Sequence, residues 1–380
     1  MRSLVIELAG GPESCDVLRE RAAALAGEGV PAFVIAFLPP GDEARACISE
    51  MSRIWPGAVR LGCEAVTQFA NSRLSSAGSI QLFWFDAPSS SVALEIVEAH
   101  ADRTDLGPLA ERLAVALASA DGALLFADGL RFPSQRFLDE VRARAGGSTT
   151  PIAGALASQA APLVNPGARV FAGDRTLDSG CVALLLRGVR LEIEVVQGWR
   201  PASPVYEVTR ADGPILWEID GQSATEWYRR FFTVGDELAP MPESAYVFPL
   251  IIQGPRPERQ GLIRSMKAFN DPEGAVSYWG DLHAGDKVRL GIGDGGSLVQ
   301  AAAERAPGPA PDAAILCSCV GREVVLGEDR QREVEAVHEA LGGVALSGFF
   351  SFGEIGPSAR GRLAFYNQTA ILALLREDAP

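Results

Sequence analysis

Residues 344–375 read VALSGFFSFGEIGPSARGRLAFYNQTAILALL, and the reading of the whole chain grows from them. An apolar run enters a segment marked by Gly348, Gly353 and Gly356 that carries a single acid, Glu354. The chain then turns through Pro357 and Gly361 and leaves as a long second strand. Strand alternation puts Phe365, Asn367, Thr369 and Ile371 on one face and Tyr366, Gln368 and Ala370 on the other. Polar Asn367 and Thr369 within an apolar strand are costly unless they find partners. Glycines beside them let a backbone or a ligand approach closely. The stretch therefore predicts either a hairpin core with locally satisfied polar groups or one wall of a binding site.

Working outward, three regions share one order: apolar strand, helix, glycine-marked strand, long apolar strand. They begin near Ala32, Ala123 and Ala313, and their last strands read SIQLFWF, SGCVALLLRG and TAILALL. The spacing is too irregular for a solenoid, so the pattern predicts a β-α-β-β unit used three times. Helices are predicted over 42–54, 109–120, 134–145 and 332–341. Residues 169–172 and 180–186 read as a hairpin, and Asp212-Gly213 as the turn of another. The polar stretch TVGDELAPMPES, 233–244, holds two prolines and reads as a linker. The expectation is an α+β protein of two domains, 1–232 and 245–380, with mixed, largely antiparallel sheets covered by helices.

Composition narrows the function classes. The chain has 380 residues, 47% apolar and 22% charged, a net charge of −14 and two lysines, Lys267 and Lys287. Such an acidic chain without a basic tract is a poor partner for nucleic acid or an anionic membrane. No apolar run reaches the roughly 18 residues of a membrane helix, and the N-terminus reads as a first strand. Six scattered cysteines suit reduced thiols and a cytoplasmic setting.

Several motifs invite chemistry. Gly291-Ile292-Gly293-Asp294-Gly295-Gly296 fits GxGxxG between a strand and a helix, which motivates an enzyme with a nucleotide or small-molecule substrate. The acid that such a fingerprint needs about twenty residues on is absent, since Leu316 and Cys317 stand there. Cys317 and Cys319 share a strand face but lack further ligands nearby, so no metal is expected. His100, His283 and His338 are scattered, and no GxSxG elbow occurs, so no catalytic residue is assigned. Arg322 and Glu354 each follow a small-residue strand end, on strands that the repeat places side by side. A guanidinium grips a carboxylate and a carboxylate holds an ammonium. With Asn367 and Thr369, and with Gly348, Phe350 and Gly353 around them, the two suit a zwitterionic ligand. Equally, Arg322 and Glu354 pair with each other as structure.

SGFFSFGEIGP followed by YNQT, with Cys319-Val320-Gly321-Arg322 upstream, resembles the C-terminal half of the FIST family of bacterial sensory proteins. Residues 198–232, with GW, VTRADGPILWEIDG and ATEWYRRFF, resemble the end of that family's N-terminal half. The resemblance spans roughly residues 25–375. It implies a sensor of a small ligand, an amino acid or related metabolite, which passes its signal to a separate protein such as a histidine kinase or a cyclic-nucleotide enzyme. Some members bind haem and sense nitric oxide; on that alternative Tyr366 and the three histidines are the axial candidates, and the spacing singles out none of them. Where the family commonly has His, this chain has Tyr366, so no imidazole role carries over.

Overall fold

The structure, a computed structural model, describes every residue except 12, 100–104, 147–148, 160–166, 236, 242, 305–307 and 379–380. His100 lies outside the described residues.

The repeated unit is real, and it is larger than four elements. The first copy runs β1 (Arg2–Glu7), α1 (Glu13–Ala24), β2 (Phe33–Leu38), α2 (Asp42–Ile54), β3 (Val59–Glu64), the hairpin β4 (Gln68–Ala70) and β5 (Arg73–Ser75), then β6 (Ser79–Trp84). The second runs β7 (Ser91–Glu98), α3 (Gly107–Leu117), β8 (Gly122–Ala127), α4 (Ser134–Arg144), β9 (Ile152–Leu156), the hairpin β10 (Val170–Ala172) and β11 (Arg175–Leu177), then β12 (Gly180–Arg187). The third starts with β13 (Val189–Val196) and is interrupted by an inserted region.

That insertion carries β14 (Arg200–Pro201), β15 (Tyr206–Asp212), β16 (Ile215–Ile219), β17 (Gln222–Ser223), α5 (Ala224–Phe232), the ribbon β18 (Thr233–Val234) and β19 (Glu237–Leu238), and α6 (Glu243–Tyr246). It continues with β20 (Leu250–Ile252), β21 (Ile263–Arg264), β22 (Met266–Asn270), β23 (Ala275–Tyr278) and β24 (Lys287–Ile292). The third unit then resumes with α7 (Gly295–Ala303), β25 (Ala313–Cys319), α8 (Val320–Leu326), α9 (Arg330–Ala340), β26 (Leu346–Ser351), the hairpin β27 (Glu354–Pro357) and β28 (Leu363–Tyr366), and β29 (Ala370–Glu377).

Each unit forms a six-stranded sheet of the same order: β1-β6-β2-β3-β10-β11, β7-β12-β8-β9-β27-β28 and β13-β29-β25-β26-β4-β5. In each, one central pair is parallel and the remaining pairs are antiparallel. Every hairpin leaves its own unit to extend a neighbour's sheet. The second unit's hairpin joins β3, the third's joins β9 and the first's joins β26. The exchange closes a ring, so no unit completes its sheet alone. The expected pairing of 169–172 with 180–186 is thereby corrected: β10 turns back on β11, while β12 stays between β7 and β8.

Inside the ring, Phe37, Phe126 and Phe349 meet with ring centroids 4.7–6.3 Å apart. Each faces a small residue across its parallel rung: Phe37 opposite Cys63, Phe126 opposite Ala155, Phe349 opposite Cys317. One large and one small side chain per rung fill the centre without overpacking. Helices cover the outer faces. On α2, for example, Ala44, Cys47, Ile48 and Met51 are buried at helical spacing.

The fold is α+β, but the chain does not divide at 233–244. Strands β15 and β16 before that stretch share the nine-stranded inserted sheet with β20–β24 after it. Residues 189–196 and 370–377 pair over eight positions, binding the two ends of the expected domains into one sheet. The Asp212-Gly213 hairpin forms as read, with Asp212 opposite Ile215.

Candidate ligand-binding site

Three central strands end together at the middle of the ring. Gly62, Gly154 and Gly348 occupy matching positions in β3, β9 and β26, and an added Cβ would meet the carbonyl oxygen of Ala36, Leu125 or Leu316 at 1.8, 1.7 or 1.9 Å. Glycine is thus required for the parallel strands to pack this closely. Past them the three strand ends interlock through backbone hydrogen bonds. Ser158 N–H donates to Glu64 (3.1 Å), Phe350 N–H to Thr67 (3.0 Å) and Phe352 N–H to Leu156 (3.3 Å).

Over this junction lies a cavity of about 280 Å³. Each unit contributes a pair from around the end of its central strand: Val66 and Thr67, Ser158 and Gln159, Phe350 and Phe352. Val320, Gly321, Glu323 and Val324 of α8 form one side, and Tyr246, Ser265 and Trp279 bring the inserted region over it. Val66 and Val324 are exposed at its edge. The walls are chiefly apolar, with few polar groups, as in small-molecule sites generally.

Two of those polar groups lack protein partners. Asn367 is 1% exposed and lines the cavity, and its Oδ1 accepts no hydrogen bond. Gln159 accepts from Gly167 N–H at 2.9 Å through Oε1, which fixes the amide, while its buried Nε2 donates to nothing. Both residues line the cavity, and each keeps one buried amide atom without a partner, at a desolvation cost of about 1–3 kcal/mol apiece. Glu323 accepts from Thr67 Oγ1 at 3.2 Å and from Arg330 at 3.3 Å. Burial lifts its carboxyl above the ordinary range, against the pull of Thr67 and Arg330.

The structure separates the residues that the sequence placed together. Asn367 and Phe350 line the cavity, the latter edge-on to Phe69 at 4.9 Å. Thr369 is fully buried, and its hydroxyl donates to the Asn367 carbonyl at 2.9 Å. Residues 367–369 are a corner between β28 and β29 and not part of one long strand. Gln368 adopts φ +54°, so the alternation expected from Phe365 to Ile371 breaks there. Gly348 and Gly353 serve packing, since a Cβ on Gly353 would strike the Phe365 ring at 2.4 Å.

Arg322 and Glu354 are not partners. Arg322 is fully buried, and its Nε donates to Glu333 at 3.1 Å. It also bonds the carbonyls of Gln197 and Leu298. It therefore ties α8 to α9, α7 and the end of β13, outside the cavity lining. Glu354, also fully buried, accepts from Ser351 Oγ at 2.7 Å. Burial drives its carboxyl well above the ordinary carboxylate range, against Ser351, Cys319, the Thr369 N–H and the more distant Arg322. The zwitterion clamp built on this pair is overturned, and so is their mutual ion pair. The reason is topological: α8 and α9 follow β25, and the acid on α9 lies nearer than the one on β27.

Cys319-Val320-Gly321-Arg322 is explained residue by residue. Cys319 lines the cavity, its thiol pushed up by burial and by Glu354. Gly321 leaves room for the Gln368 amide, which an added Cβ would meet at 2.7 Å. Gln368 in turn donates to the carbonyl of Tyr246 and to Ser265 Oγ, and its own carbonyl accepts from Trp199 Nε1 at 2.7 Å.

Tyr366 is not placed to ligate a haem in this cavity. Tyr366 is 3% exposed, donates to the Pro357 carbonyl at 2.7 Å and is pushed up to about 12 by burial. It stands outside the cavity lining, as do His283 and His338. Cys319, which does line it, has its thiol pushed up by burial, away from the thiolate that iron prefers. The GxGxxG segment serves packing too: added Cβ atoms would meet Ile251 from Gly291, Trp199 from Gly293 and Asp329 from Gly295. Asp294 caps α7 with its own carboxylate, accepting from Ser297 N–H at 2.8 Å, where a nucleotide phosphate would have to sit.

The sequence reading missed Gln159, Glu323 and the inserted region's Tyr246, Ser265 and Trp279. Gln159 had a legible signal, because it follows Gly154 at the same interval that Thr67 follows Gly62 and Gly353 follows Gly348.

Among curated proteins, the chain is 28% identical over 301 residues to an uncharacterized protein, Mb0898c, of Mycobacterium bovis, covering 76% of each chain. It is also 28% identical over 262 residues to the uncharacterized protein MT0656 of Mycobacterium tuberculosis, covering 66% of this chain and 67% of that one. A crystal structure of cyanuric acid hydrolase from A. caulinodans aligns over 98% of both chains at 8% identity and a TM-score of 0.35, too slight a likeness to bear on chemistry. The model of the FIST N domain matches residues 32–222, and that of the FIST C domain residues 224–357. With both halves matched across most of its length, this chain belongs to the FIST family, whose domains are associated with sensing in signal transduction.

Proposed function

We propose that the protein is a sensor whose ligand occupies the cavity at the meeting of the three units. The observation that carries this is a pair of amides lining one mainly apolar cavity, Asn367 and Gln159, each with a buried atom, Oδ1 and Nε2, left without a partner. Buried polar groups without partners are rare and call for an explanation, and a ligand that donates to one and accepts from the other supplies it. Glu323 adds a second acceptor for an amine. Among the described residues the lining holds no arginine or lysine to grip a free carboxylate. The ligand is therefore an amine- or amide-bearing metabolite, and an amino-acid derivative with a masked carboxylate suits the walls better than the free zwitterion.

The protein acts by binding and not by catalysis. The lining hydroxyls of Ser158 and Thr67 donate to the Phe350 carbonyl and to Glu323, holding the walls in place. Its work is cytoplasmic, consistent with six free cysteines, and no helix of the described residues is long and apolar enough to cross a membrane. The signal passes to a separate protein, such as a histidine kinase or a cyclic-nucleotide enzyme. The cavity suits such relay, because a ligand there touches all three units and the inserted region at once.

A thermal-shift screen against amino acids, their amides and esters, simple amines, nucleotides and haemin tests the reading. A ligand at about a hundred times its dissociation constant adds roughly 2.7 kcal/mol, a rise of a few degrees. Stabilisation by amides or amines supports the proposal. A response to nucleotides or haemin alone would contradict it.

A further inference from the structure

Behind the first cavity lies a second, of about 290 Å³ and opposite character. The two share a wall. Ser265 and Asn367 face the first, whereas their near neighbours Arg264 and Phe365 face the second. Helix α4 contributes Asp139 and Arg142, and the inserted region contributes Arg256, Glu258, Arg259 and His283. Four arginines thus surround one small cleft in a chain of net charge −14.

Asp139, Asp286 and Glu258, with Asp281 close by, oppose them, but they do not pair with all four. Asp286, fully buried, accepts from Arg256 at 3.0 Å and from Arg259 at 2.9 and 3.3 Å, which leaves one charge for two guanidinium groups. Asp139 pairs with Arg142 at 2.6 Å. Glu258 is half-buried and supplies the one further acid of the wall. Arg264 is 1% exposed and holds only carbonyls, those of Asp281 (3.0 Å), Ile263 (2.9 Å) and Phe365 (3.3 Å). Among the described residues no carboxylate pairs with it. A buried guanidinium without a counter-ion is among the most costly arrangements in a protein, and an anion beside it removes much of that cost.

Two groups of this cleft are shifted, chiefly by burial. Arg264 falls to about 9, through burial first and Arg259 second, with Asp281, Asp286 and Asp139 opposing. His283 is lowered by burial, then by Arg259 and Arg256, with Asp286 and Asp281 opposing. In both, burial is the largest cause and a neighbouring guanidinium adds to it.

We propose that this cleft is a second binding site, taking a small oxyanion, the carboxylate or phosphate group of a metabolite, with Arg264 at its base and Arg142 and Arg256 at its sides. Planar guanidinium groups converging on one cleft are the usual recognition chemistry for both anions. The site shares no lining residue with the first cavity, and its ligand carries the charge that the first cavity cannot hold.

The test uses the intact protein at low ionic strength, melted and titrated calorimetrically with inorganic phosphate and with a short dicarboxylate, against chloride at equal ionic strength. Arg142→Gln and Arg256→Gln are the informative variants. Their side chains are 37% and 41% exposed, and Arg259 still holds Asp286 in the second, so both should fold. Saturable binding of phosphate or the dicarboxylate, weakened about tenfold in each variant and unchanged in Arg53→Gln, is expected. Melting points without anion should stay within about 2 degrees of the parent. Phosphate alone or the dicarboxylate alone would identify which group the site takes. No saturable binding, or equal binding in the parent and both variants, would overturn the proposal.

Discussion

At the scale of single residues, one buried acid and one buried amide decide what the site is. Glu354 lies in the stretch that first suggested a binding site, yet it is an acid kept neutral by its surroundings. Its folded-state pKa stands above the ordinary value of 4.5, so the folded state holds a proton that the unfolded state releases. Stability from this position is therefore complete below about pH 4.5 and is eroded as pH rises toward the folded value. Glu354→Gln should accordingly melt higher than the parent at neutral pH, with the difference shrinking as pH falls to about 4.5. Melting curves between these limits check this, and a loss of stability at every pH would show an ionised role instead. The polar residues in YNQT were legible as an oddity, because Asn and Thr in an apolar strand demand partners. Which of them kept an open valence was not legible, since that depended on the left-handed corner at Gln368.

At the scale of elements, Arg322 shows how a correct residue was given the wrong partner. Sequence proximity to strand ends suggested Glu354, whereas the helix pair α8–α9 delivers Glu333 to it, both side chains fully buried. Removing either partner leaves a buried charge uncompensated, so Arg322→Ala and Glu333→Ala should each lose about 3–5 kcal/mol. The joint replacement Arg322→Met with Glu333→Leu should recover most of that loss. Urea unfolding of the three variants measures it. A small loss in Arg322→Ala joined to a vanished ligand response would restore the ligand-clamp reading. The helices were readable because their apolar spacing is local, as α2 and α4 show. The hairpins were not, because β10–β11 and β27–β28 are recognised only by the sheets they join, far away in sequence.

At the scale of the molecule, the exchange of hairpins makes the ring one cooperative body. The segment 354–366 completes the second unit's sheet, and β29 flanks β13 over its whole length. A polar, proline-bearing stretch at 233–244 looked like a boundary, but it lies within an insertion whose sheet draws strands from both sides. The intact protein should therefore unfold in a single calorimetric transition, and residues 1–232 expressed alone should show no cooperative melt. Two separable transitions would contradict this. The threefold order itself was legible, since each unit repeats its glycine-marked strand and long closing strand; its closure into a ring was not. The central claim is that the centre of that ring holds a ligand on Asn367 and Gln159. The most direct measurement is calorimetric titration of the strongest amine or amide hit into the parent protein and into Asn367→Leu. The account predicts binding lost by a factor of roughly ten or more, with a melting point equal to or above the parent's, because an unpaired buried oxygen has been removed. Undiminished affinity in Asn367→Leu would contradict it.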